Sequence, residues 1–332
     1  MDSLTHIVLG AAVGEAVLGR KVGNKAMLWG AFAASVPDFD VAITSLFNPV
    51  DALFVHRGFS HSLVFAIVIA PILGYIISKI HKEPKEVGFR QWTFLSLVAI
   101  LSHSLIDCFN TYGTELLAPF SNARLALDSI GIIDFTLLFT LIILVITILF
   151  FKQNYAVRRG LAFGAILFTI LFTTLTIGNK LYIENRITSQ LKGNEIEYTR
   201  IKTSPLPATN FLWLILVEDS TGYYYGYRST FDKEETKLTY IKRNRELLGE
   251  FENNTMVKNL IRFTAGFYAV NKDENNSLLL YDLRFGSMAF NEENWFVFTF
   301  EISGNNQNPV ISRSHPNRSF NLQNFKNYFE RL

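Results

Sequence analysis

The chain has one cysteine, Cys108, in 332 residues, so no internal disulfide framework is available to it. It also lacks an excess of either charge: 31 Lys and Arg face 29 Asp and Glu. A net charge of +2 offers no basic stripe of the kind a nucleic-acid partner requires. The start, MDSLTHIVLG, has neither the basic region nor the cleavage site of a signal peptide, so the first apolar segment is expected to remain in the protein. No repeat, low-complexity tract or long linker interrupts the chain. Cys108 stands beside Asp107, but a lone cysteine reads more simply as a small buried residue than as a ligand.

Apolar sequence is abundant and unevenly placed. Hydrophobic residues make up 49% of the chain, 30 of them Phe, and they concentrate in the first half. Residues 4–19, 26–47, 62–80, 92–109, 132–151 and 160–178 form six apolar segments near the ~20 residues a spanning helix needs. The first is rich in Gly and Ala (LGAAVGEAVLG), which suits close helix packing. Pro37 and two aspartates interrupt the second and predict a broken or re-entrant helix. Three loops carry Arg20, Lys21, Lys25, Lys79, Lys82, Lys85, Arg90, Lys152, Arg158 and Arg159, while the two loops between them carry only Arg57 and Arg124. That alternation predicts at most six spans, with the N-terminus and everything after the sixth span outside the cytoplasm.

Composition changes after residue 182. Residues 183–332 hold 18 basic and 18 acidic residues with aromatic and β-branched runs (FLWLILVED, GYYYGYRS, KLTYIK, SLLLYDLRF, NWFVFTFEIS) separated by turn clusters. These predict a β-rich domain with a helix near residues 253–263. The expected fold is therefore an α-helical transmembrane bundle of five or six helices over residues 1–182, followed by a β-rich (α+β) extracytoplasmic domain over 183–332.

Ionisable residues stand inside or beside the apolar segments: His6, Asp38 and Asp40 in PDFD, His56, Arg57 and His61 in HRGFSHS, and His103 and Asp107 in HSLID. Such groups cost about 2.5–3.5 kcal/mol at a bilayer centre and tend to mark function. The expected topology puts all of them at one leaflet. His103 and Asp107, spaced i, i+4, share a helix face. Asp38 and Asp40 sit at a proline-marked break, and His56 and His61 bracket Gly58, whose freedom permits a tight turn. Six or seven ligands exceed one tetrahedral zinc, and a metal pair would suit phosphoryl chemistry, with Arg57 holding a phosphate by a forked hydrogen bond. The plainer reading makes each a hydrogen-bond partner between helices; Glu15 invites that reading too. His81 and His315 lie in polar segments and are expected to be solvated.

The order THIVLG, PDFD, HRGFSHS, SHSLIDCFNTYGTELLAPFS resembles the bacterial membrane-bound metal-dependent hydrolases of the YdjM/YbcI type, over roughly residues 1–180. That family is in turn distantly similar to zinc-dependent phospholipase C and related nucleases. The resemblance implies His6, Asp38, His56, His61, His103 and Asp107 as ligands of one to three divalent ions, zinc foremost, with Asp40, Asn110 and Glu115 as supporting groups. The phospholipases use an N-terminal Trp and a His-x-x-x-Glu pair, whereas this chain has His103/Asp107 and no Trp near its start. The combined expectation is a multi-pass protein of the bacterial cytoplasmic (inner) membrane that hydrolyses a phosphoester of a lipid or lipid-linked substrate, with Asp40 as general base and Arg57 on the phosphate. The rival is a non-enzymatic membrane protein with an ion-binding or structural polar cluster and a partner-binding β domain. Asp128 and Asp134 flank the outer start of the fifth segment as further carboxylates near the site.

Overall fold

In a computed structural model, described over residues 1–82, 85–273, 277–287 and 296–314, the chain divides into two units. One comprises Met1–Ser45, Val55–Ile177 and Pro207–Thr209; the other comprises Leu46–Phe54, Gly178–Leu206 and Asn210–Leu332.

The first unit is helical. Helices α1 (Ser3–Val22) and α2 (Asn24–Ser35) lead to a 3-10 turn at Pro37–Asp40 and a short α3 (Val41–Thr44). After α4 (Pro49–Val55), a 3-10 turn at Phe59–His61 enters α5 (Leu63–Ile80), followed by α6 (Phe89–Asp107), α7 (Phe135–Phe150) and α8 (Tyr155–Gly193). Asp2, Ser62 and Asp134 cap α1, α5 and α7 by accepting backbone N–H groups of the first turn. The glycines of α1 have the packing role expected of them. A Cβ on Gly14 would overlap the Ala26 carbonyl oxygen, and one on Gly30 would overlap that of Gly10, so α1 and α2 pack backbone to backbone.

The span count is a correction. Two helices are long and apolar enough to cross a membrane, Leu63–Ile80 and Tyr155–Gly193, and the pair Asn24–Ser35 with Pro37–Thr44, bent by 43°, makes a third at most. The expected five or six are not reached, for two physical reasons. Helices α1 and α6 turn polar residues into the protein interior, including His6, Glu15, Ser96, His103 and Asp107. Helix α7, at 16 residues, falls short of the ~20 that span hydrocarbon. The break expected at Pro37 is present, as the bend of that third pair.

The second unit holds two four-stranded antiparallel meanders. Strands β1 (Arg200–Pro205), β2 (Leu212–Glu218), β3 (Gly222–Ser229) and β4 (Thr239–Lys242) pair in chain order. Strands β5 (Tyr268–Lys272), β6 (Leu278–Ser287), β7 (Phe296–Gly304) and β8 (Pro309–Ser314) form the second sheet, accompanied by α9 (Thr255–Phe263). β2 is buried along its whole length, and its two faces serve two cores. Trp213, Ile215 and Val217 pack on Ile183, Ile187 and Leu191 of α8, while Leu212, Leu214 and Leu216 pack on Phe267, Tyr281 and Leu283. Val50 joins Leu248, Leu260 and Leu280 in a third core. His315 lies outside the described residues.

Candidate metal centre

Four turns of chain deliver the polar cluster. His6 comes from the first turns of α1, Asp38 and Asp40 from the 3-10 turn after α2, His61 from the 3-10 turn before α5, and His103 with Asp107 from the last turns of α6. His6, His61, His103 and Asp107 are all buried.

Hydrogen bonds fix the imidazole tautomers. His103 Nδ1 lies 2.6 Å from the carbonyl oxygen of Ala34, which can only accept, so Nδ1 carries the proton and Nε2 a lone pair. The Ser60 hydroxyl donates to Asp40 Oδ2, so its oxygen accepts from His61 Nδ1 at 2.9 Å. The neutral His61 ring therefore also turns a lone pair at Nε2 inward. The two Nε2 atoms face each other at 3.0 Å. Asp38 Oδ1 lies 3.4 Å from His61 Nε2 and 3.5 Å from His103 Nε2. Asp107 Oδ2 lies 3.5 Å and 3.6 Å from the same two atoms. Two imidazole nitrogens and two carboxylate oxygens thus converge, an arrangement that a divalent cation, or a proton on His61, would satisfy.

Two overlapping triads, His6–Asp38–His103 and His61–His103–Asp107, each bring one ligand atom per residue within 4.8 Å of the others. A tetrahedron with ligand distances of ~2.0–2.2 Å has edges of roughly 3.3–3.6 Å, which brackets four of the five separations above. Unsatisfied atoms cluster at the same place: among the described residues, Asp107 Oδ2 and both ring nitrogens of His6 are buried without a hydrogen-bond partner. His6 stacks on His103 with ring centroids 3.6 Å apart and points Nε2 at Asp107 Oδ1, 3.2 Å away. Burial of the His61 ring opposes its protonation, but Asp38 and Asp40 outweigh burial and raise its pKa, so a proton competes for the same lone pair.

The remaining candidates surround this core. His56 stands apart from the four-atom set: its Nδ1 pairs with Asp40 Oδ1 at 2.9 Å, and its side chain is 24% exposed. Asp40 also accepts from the backbone N–H of Arg57, at 3.2 Å. Arg57 is buried, with Nε 3.3 Å from Asp107 Oδ2 and Nη1 donating to Asn110 Oδ1 at 2.6 Å. Its guanidinium braces the Asp107 and Asn110 side chains. The tight turn expected at Gly58 is present at the start of the 3-10 turn, and within it Arg57 takes the left-handed conformation, at φ 61°. A non-glycine residue in that region costs of order 1–3 kcal/mol and clusters at functional sites.

Sequence reasoning missed Ser60, although it stands inside the HRGFSHS motif, and Ser3, which donates to Asp38 Oδ2 at 2.9 Å. The α-amino group of Met1 contacts Asp107 Oδ1, and Tyr112 lies under Arg57, 5.0 Å from ring centroid to guanidinium carbon. Glu115 donates its backbone N–H to the Arg57 carbonyl oxygen. Glu15 forms a buried pair with Arg158, at 2.6 and 2.7 Å, as the plainer reading of that residue expected. Asp134 caps α7, and the Cys108 thiol donates to the Ser104 carbonyl oxygen. Asp128 is buried in a left-handed turn at φ 51°. His81, expected to be solvated, instead accepts from the Trp29 indole at 2.8 Å and lies against Trp92.

Similarity to known proteins runs through this same part of the chain. The family described as YdjM inner membrane protein matches residues 1–185, more than half of the sequence. An uncharacterized protein of Bacillus subtilis, YfhP, is 33% identical over 141 residues, which is 40% of this chain and 42% of that one. The inner membrane protein YbcI of Escherichia coli is 33% identical over 123 residues, 36% of this chain and 69% of its own. The chain thus spans about two fifths of the length of the Bacillus relative. No solved structure matches. The apolar helices and these relatives support an inner-membrane location. The chain belongs to the YdjM inner membrane protein family.

Proposed function

We propose that this protein is a membrane-bound, metal-dependent hydrolase acting on a phosphoester of a lipid or lipid-linked substrate. The observation that carries the reading is the convergence of His61 Nε2 and His103 Nε2 on Asp38 Oδ1 and Asp107 Oδ2, each oxygen within 3.6 Å of both nitrogens. These four residues would hold a divalent ion, zinc foremost, with His6 adjoining. Such an ion supplies an activated water and neutralises charge on a phosphoryl oxygen.

The protein's own groups do the rest. Asp40, engaged by His56, the Arg57 N–H and the Ser60 hydroxyl, is weakened as a base by these donors; it holds the His56 and His61 rings in place. Arg57 and Asn110 fix the Asp107 side of the cluster. His56, the most accessible of the histidines in the cluster, stands on the substrate side. Phe39 and Phe59, each next to site residues in sequence, are 54% and 51% exposed. An apolar rim beside a buried polar centre suits a substrate whose hydrocarbon stays in the bilayer while its phosphoester enters. The charge bias of the loops supports an extracytoplasmic side for this end of the helices and for the β unit.

The test uses the full chain in detergent: metal analysis, then release of diglyceride with glycerol phosphate, or of phosphatidate with glycerol, from phosphatidylglycerol and of nitrophenol from a nitrophenyl phosphodiester. The wild type is expected to hold metal and to turn over at least one of these, and His61→Ala to lose both properties. Metal without turnover on either substrate would make the ion structural, as closed four-ligand zinc sites are. No metal in a folded protein would reduce the cluster to a hydrogen-bonded core.

A further inference from the structure

The helical unit carries a second feature, far from the metal centre, that the proposed chemistry does not use. An open-sided groove of about 610 Å³ runs between α1, α6 and α8. Its wall is mostly apolar, with Val17 from α1, Phe94 and Val98 from α6 and Ile166 from α8, while Lys21 and Arg90 stand on its rim. Its size is that of small-molecule sites, ~300–1,000 Å³. Lys21 lies fifteen residues along α1 from His6, roughly 22 Å at ~1.5 Å per residue, so groove and metal centre occupy opposite ends of the helix.

Charge decides what fits. Lys21 and Arg90 are exposed, and neither has an ion-pair partner among the described residues. Glu15, the acid nearest to Lys21 on α1, is committed to Arg158. The same helix ends and the loop between them carry Arg20, Lys25, Lys79, Lys82 and Lys85 against Glu83 and Glu86, so the rim faces a net positive field. An apolar trough alone would accept any acyl chain. Two cations at its rim, without an ion-pair partner among the described residues, add a requirement for negative charge at headgroup depth. Basic pockets between membrane helices on the cytoplasmic side meet that requirement with anionic lipid. We propose that this groove binds one anionic glycerophospholipid, with an acyl chain against Val17, Phe94, Val98 and Ile166 and its phosphate between Lys21 and Arg90.

The experiment measures lipid retained by the full chain in a neutral detergent, by native mass spectrometry and by titration. Phosphatidylglycerol, phosphatidylcholine and inorganic phosphate serve as probes. One phosphatidylglycerol per chain is expected, with phosphatidylcholine much weaker and phosphate alone not competing. Each cation contributes on the order of fivefold, so Lys21→Gln with Arg90→Gln should weaken phosphatidylglycerol about thirtyfold. Val98→Trp, which fills the trough and leaves both cations in place, should abolish retention; Ala16→Phe, at a lining residue of α1, replaces it if that variant does not fold. Equal retention of phosphatidylcholine, full competition by inorganic phosphate, or unchanged binding by the double variant would overturn the proposal. None of these readouts depends on metal content or hydrolysis.

Discussion

His103 and Ala34 are joined by a hydrogen bond of 2.6 Å, from the ring Nδ1 to a main-chain carbonyl oxygen at the end of α2. A carbonyl in the last turn of a helix has no intrahelical donor, so the imidazole satisfies it and is held in one tautomer. The same bond aims Nε2 at His61, Asp38 and Asp107. The end of one helix thus orients a side chain on another.

This linkage separates structural from ligand roles. In His103→Asn the side-chain amide can still donate to Ala34, but the atom aimed at the cluster is lost. The variant is expected to unfold within a few degrees of the wild type while its metal content falls at least tenfold, read by metal analysis and thermal unfolding in detergent. Because the ligands must be deprotonated, wild-type retention should also fall as pH drops through the histidine range. Equal metal in the variant would remove His103 from the ligand set.

Asp134 predicts a separate pH effect. Burial pushes its pKa up to about 6, and the N–H groups of Leu137 and Thr136 offset only part of the rise. An acid raised in the folded state favours folding below its unfolded value near 4, and that contribution is lost as pH rises through about 6. It amounts to on the order of 3 kcal/mol at most. Asp134→Asn keeps an oxygen for the cap, so it should be more stable than the wild type at pH 7.5 and should lose the advantage at pH 4. Parallel pH profiles for the two proteins would count against it.

Gly14 and Gly160 are both helix-interior glycines with opposite surroundings. A Cβ on Gly14 meets the Ala26 main chain, whereas nothing stands within 4 Å of one on Gly160. Gly14→Ala should destabilise by about 1–3 kcal/mol through overpacking, and Gly160→Ala should stabilise by about 0.5–1 kcal/mol. Thermal unfolding of the two variants tests the α1–α2 packing directly.

For orientation, a reporter active only after export should work when fused after Gly193, beyond the end of α8, and fail when fused after Lys82. The reverse result would move the metal centre to the cytoplasmic face and remove the basis for an extracytoplasmic substrate.

Much of the site was legible because its residues are costly where they stand. His103 and Asp107 announce themselves by their spacing on an apolar helix, and PDFD by a proline break. The supporting groups were harder to read. Ser60 and Ser3 are ordinary residues until the fold sets them against carboxylates, and nothing local marks Arg57 rather than Gly58 as the left-handed residue. Counting spans from apolar length failed at α1 and α6, because a helix buried in protein tolerates polar residues that one facing lipid does not. In the second unit, β2, β3, β4, β6 and β7 correspond to apolar or aromatic runs, and α9 to the helix expected near residues 253–263. Strands β1 and β8 contain prolines at a terminus, and β5 is five residues long, so none of the three produced a run. The last turns of α8 escaped notice because Ile183, Ile187 and Leu191 recur every fourth residue in an otherwise polar stretch, after the lipid-like sequence has ended.

Val50 lies in the sequence between Asp40 and His56, yet it is buried with Leu248, Leu260 and Leu280 in the core of the second unit. Those partners leave the ribosome roughly 200 residues after it, on a chain made from its N-terminus. The segment tying the two halves of the polar cluster together therefore waits, during biosynthesis, for the last third of the chain. A single cut after α8 strands Val50 without its core, so the two units are not exchangeable modules.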